Sequence, residues 1–99
     1  MLRSADEVLK TLEANRESLQ RLGVRRLGLF GSVARGEGVS TSDLDFLVEF
    51  AHKSFDAYMD LKFFLEQIFA CHVDLVLPES IKPRLRARIL GEAIYAKGL

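Results

Sequence analysis

Asp43 and Asp45 are separated by one leucine, and the pair Gly31-Ser32 stands ten residues ahead of them. Carboxylates at i and i+2 of a strand share a face, about 7 Å apart along the chain. Aspartate is depleted inside strands, yet Leu44, Phe46 and Val48 carry the strand pattern straight through Asp45. Asp74 repeats the anomaly in His-Val-Asp-Leu-Val-Leu, where Val73, Leu75 and Leu77 form one face and Asp74 points away. Three carboxylates on one side of neighbouring strands repel one another unless they are protonated or paired. A bound cation resolves the conflict, and hard oxygen donors favour Mg²⁺ or Mn²⁺ over zinc. Asp43 alone has an ordinary explanation, because Thr-Ser-Asp before a strand is common turn chemistry.

The Gly-Ser pair supplies the phosphate side of such a site. Gly31 lets the backbone approach a ligand closely, and Ser32 offers a hydroxyl and an N–H where a strand hands over to a helix. Arg35 is a candidate clamp for a triphosphate; its alternative is a loop arginine paired with Glu37 or Asp43. Two familiar phosphate motifs are absent. Gly31-x4-Gly36 is followed by Glu37, where a P-loop needs lysine, and glycines at 28, 31, 36 and 38 do not give Gly-x-Gly-x-x-Gly. The residues together indicate a metal-dependent site for a nucleoside triphosphate.

The elements that must position these residues are short. Ser4-Ala5-Asp6-Glu7 has the order of a capping box, and apolar residues from Val8 to Leu22 at helical spacing predict one amphipathic helix over 5–22, stopped at Gly23. Residues 25–30 read as a strand in which Gly28 lets another backbone come close. A helical turn at 32–35 and a loop follow. The second strand covers 43–50, with Leu44, Phe46, Val48 and Phe50 on one face and Asp43, Asp45, Leu47 and Glu49 on the other. A long helix spans 55–70, a third strand 73–77, and a third long helix starts at Pro83, a residue suited to the first helical position. Ile94-Tyr95-Ala96 can add an edge strand. The expected fold is α/β (α+β): a small mixed sheet of three to four strands with helices packed on it, as one domain over 1–99.

On the helix over 55–70, Tyr58, Leu61, Phe64, Leu65, Ile68 and Phe69 fall on one arc of roughly 140°. Met59 and Phe63 fall outside it. They either flank the core or, with Phe55, form a contact with another protein. Lys82, Arg84, Arg86 and Arg88 make a local basic cluster, read as a solvated helix surface or as a contact for a partner or RNA.

Lysine plus arginine equals aspartate plus glutamate at 14 each, so charge gives no case for nucleic acid or membrane binding. The single cysteine, Cys71, cannot form an intramolecular disulfide and reads as a small buried hydrophobe in a reducing compartment. No run approaches the roughly 18 apolar residues of a spanning helix. A cytoplasmic protein is expected.

The segment Phe-Gly-Ser-Val-Ala-Arg-Gly, then Ser-Asp-Leu-Asp-Phe-Leu-Val, with Val73-Asp74-Leu75-Val76 downstream, resembles the minimal nucleotidyltransferases of the DNA polymerase β-like superfamily. The resemblance implies the palm of that superfamily. It implies that Asp43 and Asp45 hold two Mg²⁺ ions, with Mn²⁺ as an alternative, and that Asp74 completes the metal site and helps deprotonate the acceptor. It implies that Gly31 and Ser32 bind the β- and γ-phosphates of ATP. Larger relatives carry an extra acceptor-binding domain, for which 99 residues leave no room, so a second copy or another protein is expected to complete the site. Proteins of this kind are often antitoxins of type VII toxin–antitoxin modules, whose partner is a HEPN-family toxin that receives AMP on a tyrosine; Phe55, Met59 and Phe63 are the expected contact. The alternatives are a non-catalytic antitoxin that acts by complex formation, and nucleotidyl transfer to a small molecule such as an aminoglycoside. His52, Lys53 and His72 read as loop or strand-end residues, with contact to the nucleotide as the alternative.

Overall fold

The computed structural model describes residues 3–39 and 42–99. Its elements in order are helices α1 (Ala5–Ala14) and α2 (Arg16–Arg21), strand β1 (Val24–Phe30), a one-turn helix α3 (Gly31–Ala34), strand β2 (Leu44–Phe50), helix α4 (Phe55–Phe69), strand β3 (Val73–Val76), a 3-10 turn (Pro78–Ser80), helix α5 (Pro83–Glu92) and strand β4 (Ile94–Tyr95). The expected loop after α3 is present over its described part; Ser40 and Thr41 lie outside the described residues. No helix among the described residues is long and apolar enough to cross a membrane.

The four strands form one mixed sheet in the order β3-β2-β1-β4. Strand β1 is antiparallel to both β2 and β4, whereas β2 and β3 run parallel. Period-2 alternation sends Leu27, Leu29, Leu44, Phe46, Val48, Val73 and Leu75 to one face, where they meet Val8 and Leu12 of α1, Leu19 of α2 and Leu61, Leu65 and Phe69 of α4. Phe46 and Phe69 rings meet at 5.9 Å between centroids, tilted by 32°, a spacing at which ring quadrupoles attract. Among the described residues no polar or charged side chain is buried, so burial of apolar surface is what drives this face together.

The opposite face carries a different set. Leu47 is buried there although it shares that face with Asp45 and Glu49. Tyr95 of β4 lies across β1 at Gly28, and a methyl group added to Gly28 would stand 3.0 Å from its ring. Gly28 therefore admits an aromatic side chain, not the second backbone that its position in a strand suggests. Arg26 stacks on the same ring at 4.0 Å and pairs with Glu49 at 3.2 Å.

The continuous helix expected over 5–22 is broken at Asn15, which leaves helical geometry at φ −106°, ψ 17°. Its side-chain amide donates to the Thr11 carbonyl at 2.8 Å, the local competition that makes asparagine a poor interior helix residue. The break lets Leu19 reach the same core as Val8 and Leu12. The N-cap reading of Ser4 holds: its hydroxyl accepts from the Glu7 N–H at 3.4 Å. Cys71 is partly buried against the core, and burial pushes its thiol up.

Helix α4 also closes the outer edge of the sheet. An edge strand exposes backbone groups that invite pairing with another chain. Here Tyr58 donates its hydroxyl to the Leu75 carbonyl at 2.8 Å, Lys62 donates to the Val73 carbonyl, and Glu66 accepts from the Val73 N–H at 3.1 Å. The basic cluster on α5 is solvent-facing, with Arg86 tied to the Pro78 carbonyl at 2.6 Å and Arg88 near Glu92 at 3.8 Å.

Helix α4 ends on Ala70 in the left-handed region, at φ 53°, ψ 41°. An L-residue with a Cβ is strained there and glycine is not. Ala70→Gly should therefore raise the unfolding free energy by about 0.5–1 kcal/mol, after the entropy that glycine adds to the unfolded chain. Urea melts followed by circular dichroism measure it; an unchanged or lower midpoint would contradict the assignment of strain.

Candidate metal and nucleotide site

Strand register brings the acids together. Asp45 pairs with Asp74 across the parallel β2/β3 ladder, and Phe30 stands opposite Asp45 on β1. All lie on the face away from the core, because each is one residue out of phase with the buried positions. Asp43 precedes β2 by one residue and is exposed. One ligand-capable atom from each of Asp43, His72 and Asp74 lies within 4.8 Å of the other two.

Asp45 is the most constrained of these groups. Its carboxyl is pushed up to about 6, first by burial, then by the negative charge of Asp74, a hydrogen bond to Asp74 and the charge of Asp43. Arg35 acts in the opposite sense but is outweighed. Sharing one proton is how adjacent carboxylates relieve repulsion in the absence of a cation. A hard divalent ion does the same without protonation, so the donor set fits one.

Gly31 is shaped by this carboxylate. It adopts φ +82°, and a Cβ built on it would run into Asp45 Oδ2. Both the conformation and the close approach exclude other residues. Beyond Gly31 the chain closes the single turn of α3, with Arg35 N–H donating to the Gly31 carbonyl at 3.1 Å and Glu37 N–H to the Ser32 carbonyl at 2.9 Å. Ser32 thus sits at the start of a helical turn beside the acids, as its position after β1 suggests.

Arg35 is engaged elsewhere. Its guanidinium pairs with Glu92 of α5 at 2.9 Å and with Glu37 at 3.2 Å, and these two carboxylates raise its already high pKa further, Glu92 first. The pairing with Glu37 is readable from sequence; Glu92 stands 57 residues away and carries no local signal. A triphosphate would have to compete with both carboxylates for this side chain.

His72, read from sequence as a strand-end residue, stands in the acid cluster. Its Nε2 is 3.0 Å from Asp74 Oδ1 and its Nδ1 is 3.3 Å from Glu66 Oε2. The signal was present in its i−2 spacing from Asp74, which puts both on one face if the strand extends back. Glu66 had no signal, since it reaches the site from α4. A cleft of about 480 Å³, lined by Arg26, Glu49, Lys53, Arg86 and Tyr95 among others, opens at the far end of this face, and none of the three acids lines it. Lys53 is paired there with Glu79 at 2.8 Å.

A mixed sheet with one helical core face and one acid-bearing face, entered through Gly-Ser, defines a nucleotidyltransferase. Residues 9–96 match the nucleotidyltransferase domain, and the chain belongs to that family. It is 37% identical over 92 residues to the protein adenylyltransferase MntA of Thermococcus cleftensis, an alignment that covers 91% of this chain and 93% of that protein. A solved structure assigned as a minimal nucleotidyltransferase is 43% identical with a TM-score of 0.70, over 87% of this chain and 93% of that one. A toxin–antitoxin complex with AMP-PNP contains a chain 25% identical at a TM-score of 0.68, over 88% of this chain and 73% of that one.

The raised carboxyl of Asp45 has a stability consequence. Its ionisation costs more in the folded protein than in the unfolded chain, so stability is greatest below about pH 4 and falls as pH rises through about 6. In chelator, Asp45→Asn should stabilise the protein at pH near 8 by about 1 kcal/mol, discounted for partial exposure, or several degrees in Tm. The gain should vanish near pH 4. Equal Tm shifts at both pH values would sink the assignment.

Proposed function

We propose that this nucleotidyltransferase is a Mg²⁺-dependent protein adenylyltransferase that moves AMP from ATP to a tyrosine hydroxyl of a HEPN-family toxin, and so acts as its antitoxin. The juxtaposition of Asp45 and Asp74 beside Asp43 carries the reading. The adenylyltransferase relative and the toxin–antitoxin neighbour with bound AMP-PNP support AMP as the group transferred and a toxin as the partner; the HEPN tyrosine as acceptor is what the family resemblance implies.

Asp43, Asp45 and Asp74 are the residues that would hold two Mg²⁺ ions. Such ions neutralise charge on the transferring phosphoryl group and on the attacking and leaving oxygens. Gly31 and the Ser32 N–H and hydroxyl bind the β- and γ-phosphates, which sets the α-phosphorus against the acids. The tyrosine oxygen forms a bond to the α-phosphorus, and the bond from that phosphorus to the α,β-bridging oxygen breaks. Pyrophosphate leaves, and the phenolic proton passes to Asp74, the most accessible carboxylate of the β2/β3 pair. Arg35 would meet the triphosphate only on release from Glu37 and Glu92.

Purified chain with Mg²⁺ and α-labelled ATP should label the toxin encoded beside it. Asp43→Asn combined with Asp45→Asn should reduce labelling at least about 10²-fold, the scale of losing a strong electrostatic contact to the transition state. Equal labelling by the variant overturns the site assignment.

One observation favours a contribution from binding alone. Phe55 and Phe63 are 77% and 59% exposed, and Met59, half-buried, lies between them at i+4. These residues line one side of α4, a surface suited to a protein partner. Phe63→Glu should weaken toxin capture by about 2 kcal/mol or more, a typical hot-spot loss, with the fold and Tm unchanged. Toxin neutralisation that survives the double aspartate variant but not Phe63→Glu marks binding, not transfer, as the inhibitory act.

A further inference from the structure

We propose that His72 is a further ligand of the cation site, presenting Nε2 to the same ion as Asp43 and Asp74, and that Glu66 is the positioning residue that aims it. This rests on the metal-dependent reading above and adds a nitrogen donor to an otherwise all-oxygen site.

The geometry is that of a coordination edge. An octahedral ion with bonds of about 2.1 Å holds neighbouring ligand atoms about 3.0 Å apart and opposite ones about 4.2 Å apart. His72 Nε2 and Asp74 Oδ1 stand 3.0 Å apart, the length of one such edge, and one ligand-capable atom from each of Asp43, His72 and Asp74 lies within 4.8 Å of the other two. His72 and Asp74 are both about half-exposed, so an ion can reach them from solvent.

The ring is held from behind. Glu66 Oε2 is 3.3 Å from Nδ1, and with Nδ1–H donating to it the Nε2 lone pair would be free for an ion beside Asp74. Without an ion the 3.0 Å approach of Nε2 to Asp74 Oδ1 is a hydrogen bond, and a cation would take the place of its proton. Glu66 is itself fixed by the Val73 N–H at 3.1 Å and Lys62 at 3.2 Å, and these contacts hold its carboxylate ionised. Carboxylate, imidazole and cation in line is the arrangement by which proteins orient histidine ligands. The same Glu66 and Lys62 close the edge of β3, so the edge seal and the ligand support are one structure.

A nitrogen donor changes ion preference. Imidazole suits Mn²⁺ and the later divalent metals better than Mg²⁺, which keeps to oxygen. His72 therefore biases this site toward Mn²⁺ relative to a site of three aspartates.

Pulsed EPR of Mn²⁺ on the full chain, with inorganic triphosphate as a nitrogen-free co-ligand, tests this. The wild type should show a nitrogen coupling that shifts when histidine alone is labelled with ¹⁵N and disappears in His72→Ala. Mn²⁺ affinity should fall about 10–100-fold in His72→Ala and in Glu66→Ala, while Mg²⁺ affinity changes less; thermal melts confirm that each variant is folded. Bound Mn²⁺ without a histidine coupling overturns the proposal and leaves the aspartate site standing, provided Asp43→Asn with Asp45→Asn abolishes uptake. A wild-type chain that takes up no Mn²⁺ overturns both.

Discussion

Two carboxylates held side by side on neighbouring parallel strands set the terms for this molecule. Asp45 and Asp74 are register partners in the β2/β3 ladder, and Asp43 adds a third negative group within reach. The cost of that repulsion shows in Asp45, whose carboxyl is pushed up to about 6. The arrangement persists because the opposite face of the same strands is locked into an apolar core from Leu44 to Leu75. A one-residue slip of register would relieve the acids only by turning those residues to solvent.

The surrounding structure reads as support for this strained pair. Gly31 gives up its side chain and takes a left-handed conformation so that the chain can pass against Asp45. Arg35, the charge that opposes the acids, is itself held by Glu37 and Glu92 and does not neutralise them. Helix α4 stands behind β3 and fills its outward hydrogen-bonding positions with Tyr58, Lys62 and Glu66. The acid-bearing edge is thereby kept from pairing with another chain. A site built on such strands is precise before any ligand arrives, which favours catalysis through electrostatic preorganisation.

Much of this was legible along the chain. Leu44, Phe46, Val48 and Phe50 alternate cleanly enough to identify β2 and to place Asp45 opposite the core. Pro83 and Ser4 mark helix starts where the structure has them. Apolar spacing predicts a helix running through Asn15, because it carries no penalty for a side chain that bonds its own backbone. A strand glycine such as Gly28 suggests close backbone approach, and the ring of Tyr95 fills the space instead. Phe63 remained open between core and contact, since helical phase cannot say how far the neighbouring layer extends; the structure leaves it exposed.

The sequence by itself determined residue types, their phases within each element, and the Gly-Ser and Asp-x-Asp spacing, because these depend on local geometry with periods of 3.6 and 2. The tertiary structure decided which strands are neighbours and in what register, and hence that Asp74 meets Asp45, that Glu66 reaches His72 from a helix, and that Glu92 holds Arg35. Those contacts join residues whose separation along the chain ranges from 6 to 57 positions. They arise only when whole faces pack at once, so no local pattern encodes them.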